Sequence, residues 1–129
     1  MEKDIRWQQR FSNFLKAYKL LANALKLRNY SDLERLGLLH RFEYSTDLMC
    51  DTIKDYLHSR GFHNLTGSKD AIRHAYQAGL INDTEKWLEM IDCRNLIAHA
   101  IDEDTSIKLT EKIKGEYFYI FKEFVSNFA

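Results

Sequence analysis

Residues 31–61 read SDLERLGLLHRFEYSTDLMCDTIKDYLHSRG. Ser31 followed three places later by Glu34 is the spacing at which a hydroxyl and a carboxylate satisfy two free amides reciprocally, so a helix is predicted to start there. Leu36, Leu39, Phe42, Met49, Ile53 and Tyr56 then recur at steps of three, four and seven, one face of a helix. Gly61 can take the left-handed conformation that ends it. A rod of about 29 residues is roughly 43 Å long at 1.5 Å per residue. Gly37 interrupts it at a cost of about 1 kcal/mol relative to alanine, which predicts either an irregular turn or a close neighbouring backbone.

Working outward, Trp7, Phe11, Phe14, Tyr18, Leu21 and Leu25 mark an earlier helix from about residue 3 to 28. Residues 62–67 form the best loop, after which Ser68 is expected to cap a short helix ending at Gly79. Asn82 with Glu85 repeats the reciprocal capping spacing, and Trp87, Leu88 and Ile91 carry that helix to about His99. The acidic cluster Asp102-Glu103-Asp104 suits the positive end of a last helix with the row Ile113, Tyr117, Ile120, Phe124 and Phe128. The fold class is therefore all-α: an antiparallel up-and-down four-helix bundle with one additional short helix, a single domain over residues 1–129.

Composition agrees and excludes several functions. The 129 residues are 45% hydrophobic and 29% charged, with no proline and a single valine, Val125, which leaves little material for a sheet. The longest apolar run, Tyr117 to Phe121, is five residues, far short of a membrane span. No signal-peptide pattern is expected, and Cys50 and Cys93 lack metal or redox spacing, so a cytoplasmic setting with both thiols reduced is the expectation. Nineteen basic residues balance nineteen acidic ones, which argues against non-specific DNA binding. That zero conceals net +5 over residues 1–30 and net −5 over 82–104. The two segments either complement each other within the bundle, or the first presents a positive face to an acidic or phosphate-bearing partner.

The chain carries no phosphate-binding glycine loop, no nucleophile elbow and no H-E-x-x-H helix. His58 and His63 lie on either side of Gly61 and lack the shared helix face of a zinc site, so neither metal nor cofactor is expected. Gly67-Ser68 and Asp102-x-Asp104 echo the nucleotidyl-transfer signature but stand 34 positions apart in a helical context, so this chain is not itself a transferase. Asp47, Asp51 and Asp55 form an acidic ridge at i, i+4, i+8 that costs a few tenths of a kcal/mol per pair. Lys54 relieves part of that cost, and the ridge is either a solvated face or the mark of a basic partner.

Most chemistry is concentrated in Asp92-Cys93-Arg94-Asn95-Leu96-Ile97-Ala98-His99. Arg94 offers a planar charged fork matched to phosphate and His99 a proton carrier near neutral pH, while Asn95, four places before His99, can orient the imidazole. Metal-free RNA cleavage by the neighbouring 2′-hydroxyl suits such a set, with Arg94 stabilising charge and His99 moving a proton. A symmetric homodimer would bring together the two histidines that such a reaction uses as base and acid. The alternative is structural: Arg94 pairs with Asp92 or another acid, and His99 caps its own helix.

Arg6-Trp7-Gln8-Gln9-Arg10-Phe11-Ser12-Asn13-Phe14, Gly37-Leu38-Leu39-His40-Arg41-Phe42-Glu43-Tyr44, Ala75-Tyr76-Gln77-Ala78-Gly79-Leu80-Ile81 and Trp87-Leu88-Glu89-Met90 with Arg94-Asn95 and His99 follow one another along nearly the whole chain. Together they resemble the nucleotidyltransferase substrate-binding protein family of the HEPN superfamily. The resemblance implies a dimerising helical bundle that pairs with a separately encoded minimal nucleotidyltransferase, as a substrate-binding subunit or as one half of a toxin–antitoxin pair. It also implies that Arg94 and His99 match the R-x(4–6)-H pair that serves metal-independent RNA cleavage in the wider superfamily. Arg41, Glu43 and Arg73, polar residues inside matching motifs, become candidate contacts to a nucleotide or single-stranded RNA. Relatives usually carry a tyrosine where this chain has Ile101, and other residue types at Thr46, Cys50 and Asp51, which points to a different partner specificity along the second helix.

Overall fold

The computed structural model describes residues 2–99 and 102–128, all of them helix or short connection, with no strand among them. The elements are α1 (Glu2–Ala24), α2 (Asp32–Ser59), α3 (Ser68–Gln77), α4 (Thr84–Ile97), α5 (Glu103–Lys112) and α6 (Phe118–Phe128). A π turn, Ile113–Tyr117, joins α5 to α6 without a break, the Phe118 amide reaching back five places to the Ile113 carbonyl. Four long rods and the short α3 make up the all-α bundle that the sequence predicts. Ile101 lies outside the described residues.

Capping chemistry fixes where the helices begin and end. The Ser31 hydroxyl accepts the Glu34 amide at 3.2 Å and the Glu34 carboxylate accepts the Ser31 amide at 2.9 Å, the reciprocal pair expected at the start of α2. At its far end, the Gly61 amide donates to the His58 carbonyl and the Phe62 amide to that of Leu57, with Gly61 at φ 99°. Helix α1 stops at Ala24, before the expected 28. There Tyr30 Oη donates to the Ala24 carbonyl and Lys114 Nζ to that of Leu27, so donors from outside replace a further turn. Helix α4 is capped one residue later than predicted, by Asp83 rather than Asn82, its carboxylate accepting the Lys86 amide. Ser68 does not cap α3; the N-cap is Gly67, which has no side chain to offer.

Helix α2 packs against α1, α3, α4 and α5 and so needs a wide apolar arc. Leu38, Leu39, Phe42, Leu48, Met49, Ile53 and Leu57 fill it, and Leu36, expected in the core, is exposed, two places before Leu38 and so on nearly the opposite side of the helix. The aromatic centre is built from α1 and α6: Phe14 stacks on Phe121 at 5.9 Å and meets Phe124 edge-on at 5.2 Å. Trp7, Tyr56 and Phe128 close one end.

A polar network ties α4 to the π turn. Tyr117, wholly buried, donates its hydroxyl to Glu89 at 2.6 Å, and Lys112 approaches the same carboxylate at 3.3 Å. Burial and the neighbouring Cys93 and Glu89 push the Tyr117 hydroxyl far above its ordinary value, while the Tyr117 bond and Lys112 hold the Glu89 carboxyl low.

Gly37 satisfies neither expectation about it: α2 runs through it unbroken, and a Cβ built there would meet nothing within 4 Å. Gly37→Ala should therefore raise unfolding free energy by about 1 kcal/mol, read as a higher urea midpoint at unchanged slope. Acid should weaken the fold. The carboxyls of Asp70, Glu89 and Asp102 are all held below their ordinary values, so their contribution is present above the carboxylate range and is lost as pH falls through it. Tyr117 acts at the other extreme, its contribution being present below the ordinary tyrosine value and lost as pH rises beyond it. Tyr117→Phe should cost about 1 kcal/mol near neutrality and flatten the acid limb of a stability–pH curve, since it removes the main cause of the Glu89 shift.

Candidate functional site

Helix α4 carries Arg94 in its last turn, directed at α2. Arg94 Nε donates to Asp47 Oδ1 at 2.6 Å and a terminal nitrogen to Asp47 Oδ2 at 2.9 Å, a two-bond fork, and the other terminal nitrogen reaches Glu43 Oε2 at 3.2 Å. Glu43 and Asp47 are four places apart and so present their carboxylates on one strip of α2. The fork with Asp47, aided by the field of Glu43, holds the Arg94 guanidinium above its already high ordinary value, against a smaller opposing effect of burial. Asp92 is not its partner; that carboxylate meets Lys69 of α3 at 2.6 Å.

His99 lies beyond the helix. The last regular residue of α4 is Ile97, Ala98 is the cap, and the His99 backbone amide donates to the Leu96 carbonyl at 3.1 Å. The chain has left the helical path by then, so the four-residue spacing from Asn95 no longer implies a shared face, and no hydrogen bond joins the two side chains among the described residues. Both are exposed. Arg94 and His99 thus stand on the same end of α4, one tied inward and one open to solvent.

The other candidate contacts disperse. Arg41, two places from Glu43, points the opposite way and donates to the Leu20 carbonyl near the C-terminal end of α1 at 2.9 Å, where the helix dipole favours a cation. Arg73 is exposed on α3, where its charge helps hold the Asp70 carboxyl low. Only Glu43 joins Arg94.

The acidic ridge has internal partners. Arg10 of α1 reaches Asp55 at 3.0 Å and Asp51 at 3.4 Å, and Arg94 takes Asp47, so two arginines from two neighbouring helices cover three aspartates. Lys54 pairs with none of them. The positive segment 1–30 accordingly meets α2, and among the described residues no ion pair joins it to 82–104. The acids of α4 pair instead with Lys69, Lys86 and Lys112.

A cavity of about 370 Å³ opens between α2, the start of α3 and the end of α4, with Asp47, Arg94 and Asn95 in its wall together with Thr46, Ser68 and Lys69. Cys50 also borders it, but burial pushes that thiol up to about 12, so it is not a nucleophile near neutral pH. His58 and His63 come together despite the Gly61 break, Nδ1 to Nδ1 at 2.9 Å; among the described residues no group of three metal-ligating side chains forms. No described helix is long and apolar enough to cross a membrane. The sequence did not reveal Asp47 as the partner of Arg94, because 47 positions separate them and the ridge offered three equivalent carboxylates. Lys69 gave no signal, and Thr46 stood out only as a position where relatives carry another residue type.

Comparisons with known proteins bear on this arrangement. The family model described as nucleotidyltransferase substrate binding protein like matches residues 9–129. Probable ribonuclease HepT of Haemophilus influenzae is 28% identical over 81 residues, 60% of this chain and 56% of that protein, so the match spans little more than half of the relative's length. A crystal structure of a protein from Thermus thermophilus aligns with a TM-score of 0.79 at 24% identity, covering 88% of this chain and 96% of that one, which establishes a common fold.

The Arg94–Asp47 fork should behave as one unit. In a double-mutant cycle with Arg94→Ala and Asp47→Ala, the coupling energy should be about 1 kcal/mol, reduced from a buried pair's because both groups are partly exposed. The same cycle between Arg94 and Asp92 should give about zero within an error of roughly 0.3 kcal/mol.

Proposed function

Because the chain belongs to the nucleotidyltransferase substrate-binding protein family, we propose that it is the partner subunit of a separately encoded minimal nucleotidyltransferase, holding a substrate for that enzyme. The observation that carries this is the state of Arg94. All three of its nitrogens are engaged by Asp47 and Glu43, so presenting the fork to a phosphodiester would break a bidentate pair and leave two carboxylates facing the incoming anion. An arginine so committed orders the α2–α4 surface rather than serving as a free phosphate clamp. The chain also lacks a transferase signature of its own, as a binding subunit would. Two unpaired cysteines suit a reducing, cytoplasmic setting, and a homodimer coupled to the transferase as a toxin–antitoxin-like pair is the assembly we infer.

The second reading, a metal-independent ribonuclease, has one specific observation in its favour: His99 is exposed beyond the end of α4, and a symmetric dimer formed there would supply the second imidazole. One imidazole would remove the 2′-hydroxyl proton as the 2′-oxygen attacks phosphorus, and the other would protonate the departing 5′-oxygen, leaving a 2′,3′-cyclic phosphate. Arg94 would then have to exchange Asp47 for the phosphate.

Co-expression with the adjacent small reading frame, if it carries a Gly-Ser and Asp-x-Asp pattern, should yield a stable complex that survives size exclusion; a chain that elutes alone would overturn the partner reading. The same purified chain, incubated with single-stranded RNA in excess chelator, should leave it intact. Cleavage abolished by His99→Ala in a still-folded protein would instead establish the ribonuclease.

A further inference from the structure

A groove of about 410 Å³ runs between the second half of α1 and the rod formed by the π turn and α6. Its floor is apolar: Tyr18, Ala22, Leu25 and Phe118 are half-buried there. Lys26, Lys114 and Lys122 stand in its walls, and among the described residues no carboxylate does.

These cations are poorly matched. Arg10, Lys69, Lys86, Arg94 and Lys112 each reach a carboxylate, whereas Lys26 and Lys122 reach none among the described residues. Lys122 lies over the rings of Phe118 at 5.3 Å and Tyr119 at 5.4 Å, and Lys114 donates to the Leu27 carbonyl at 3.0 Å. Rings and carbonyls hold an ammonium group without cancelling its charge. Glu34 and Glu111 act on Tyr30, beyond the Lys114 end, and offset part of that one charge only. Lys19, seven places before Lys26 and so on the same side of α1, adds a fourth exposed cation. A positive field over an apolar floor calls for an occupant that is acidic and apolar together.

A single strand of nucleic acid would need open ring faces on which its bases could stack. Tyr18 is instead stacked with Phe118 at 5.5 Å and with Phe14 at 6.0 Å, and Lys122 sits over Phe118. The groove thus offers ring edges and aliphatic groups, which suit side chains. Its walls, Tyr18 to Lys26 and Lys114 to Lys122, run together for about 12 Å at 1.5 Å per residue, the length of two helical turns. That is the span over which an incoming helix places contacts at i, i+3, i+4 and i+7.

We propose that this groove is where the transferase partner docks, through an amphipathic helix whose apolar strip lies on Tyr18, Ala22, Leu25 and Phe118 and whose flanking carboxylates meet Lys26 and Lys122. The inference rests on the partner reading and adds to it a surface and the chemistry of the contact.

Calorimetric titration of the full chain with the transferase from the adjacent reading frame tests it. The complex should weaken about tenfold between about 0.1 and about 0.5 M NaCl. Lys26→Glu combined with Lys122→Glu should weaken it about a hundredfold, with little change in melting temperature because both lysines are exposed and free of ion pairs. Ala22→Trp, which fills the groove without altering charge, should weaken it about tenfold. Arg73→Glu combined with Lys108→Glu makes the same change in net charge on α3 and α5 and should cost less than about threefold. Affinity unchanged in either groove variant, no response to salt, or equal losses in the two double reversals would overturn the groove and leave the partner role standing. A wild-type chain that binds no transferase overturns both. Binding of a fluorescent oligouridylate, or self-association of the chain, that disappears in the Lys26→Glu and Lys122→Glu variant would give the groove to a different occupant and equally overturn the proposal.

Discussion

Three aspartates in line along α2 are the constraint around which the bundle is arranged. Asp47, Asp51 and Asp55 repel one another at four-residue spacing, on a helix that must also pack against four neighbours. Arg10 from α1 and Arg94 from α4 relieve that repulsion from either side, so the ridge acts as a seam joining three helices. Individually such half-exposed pairs contribute little, but they select among arrangements: a bundle with α1 or α4 rotated by one turn face would leave carboxylates facing each other with no cation between them.

Helix positions were legible in the sequence because they depend on neighbours three and four places away. The Ser31–Glu34 pair, the Gly61 stop and the rows of α1 and of the last rod are all local patterns, and each stands as the spacing predicts. Failures came where tertiary context chose between equivalents. Leu36 lies at the edge of the predicted face, and only the neighbours of α2 decide that the buried arc stops short of it. Asn82 and Asp83 are both good caps, and the carboxylate one residue later won. The π turn carries no mark that periodicity could detect, since the row Ile113, Tyr117, Ile120 keeps helical steps through it.

The candidate site was half legible for the same reason. The eight residues from Asp92 to His99 stood out by chemistry, yet their use depends on two distances the sequence does not contain. One is the 2.6 Å contact, made across 47 residues of chain, that brings Asp47 under Arg94. The other is where α4 ends: a helix continued to His99 would set the imidazole over Asn95, whereas ending at Ile97 releases it to solvent. A motif written as R-x-x-x-x-H therefore does not by itself specify a site. It specifies an arginine whose availability is set by α2 and a histidine whose direction is set by a helix terminus.

The same reasoning reassigns the chain's charge. Net zero divided into a positive first segment and a negative later one suggested two faces attracted to each other, but the positive segment pairs with α2 through Arg10, and the acids of α4 pair with lysines of α3, α4 and α5. Arg6, Lys16, Lys19, Lys26 and Arg28 are left exposed on and just after α1, on a different part of the molecule from the cavity beside Arg94. Long-range attraction to an acidic protein can be exerted along α1, where salt would weaken it.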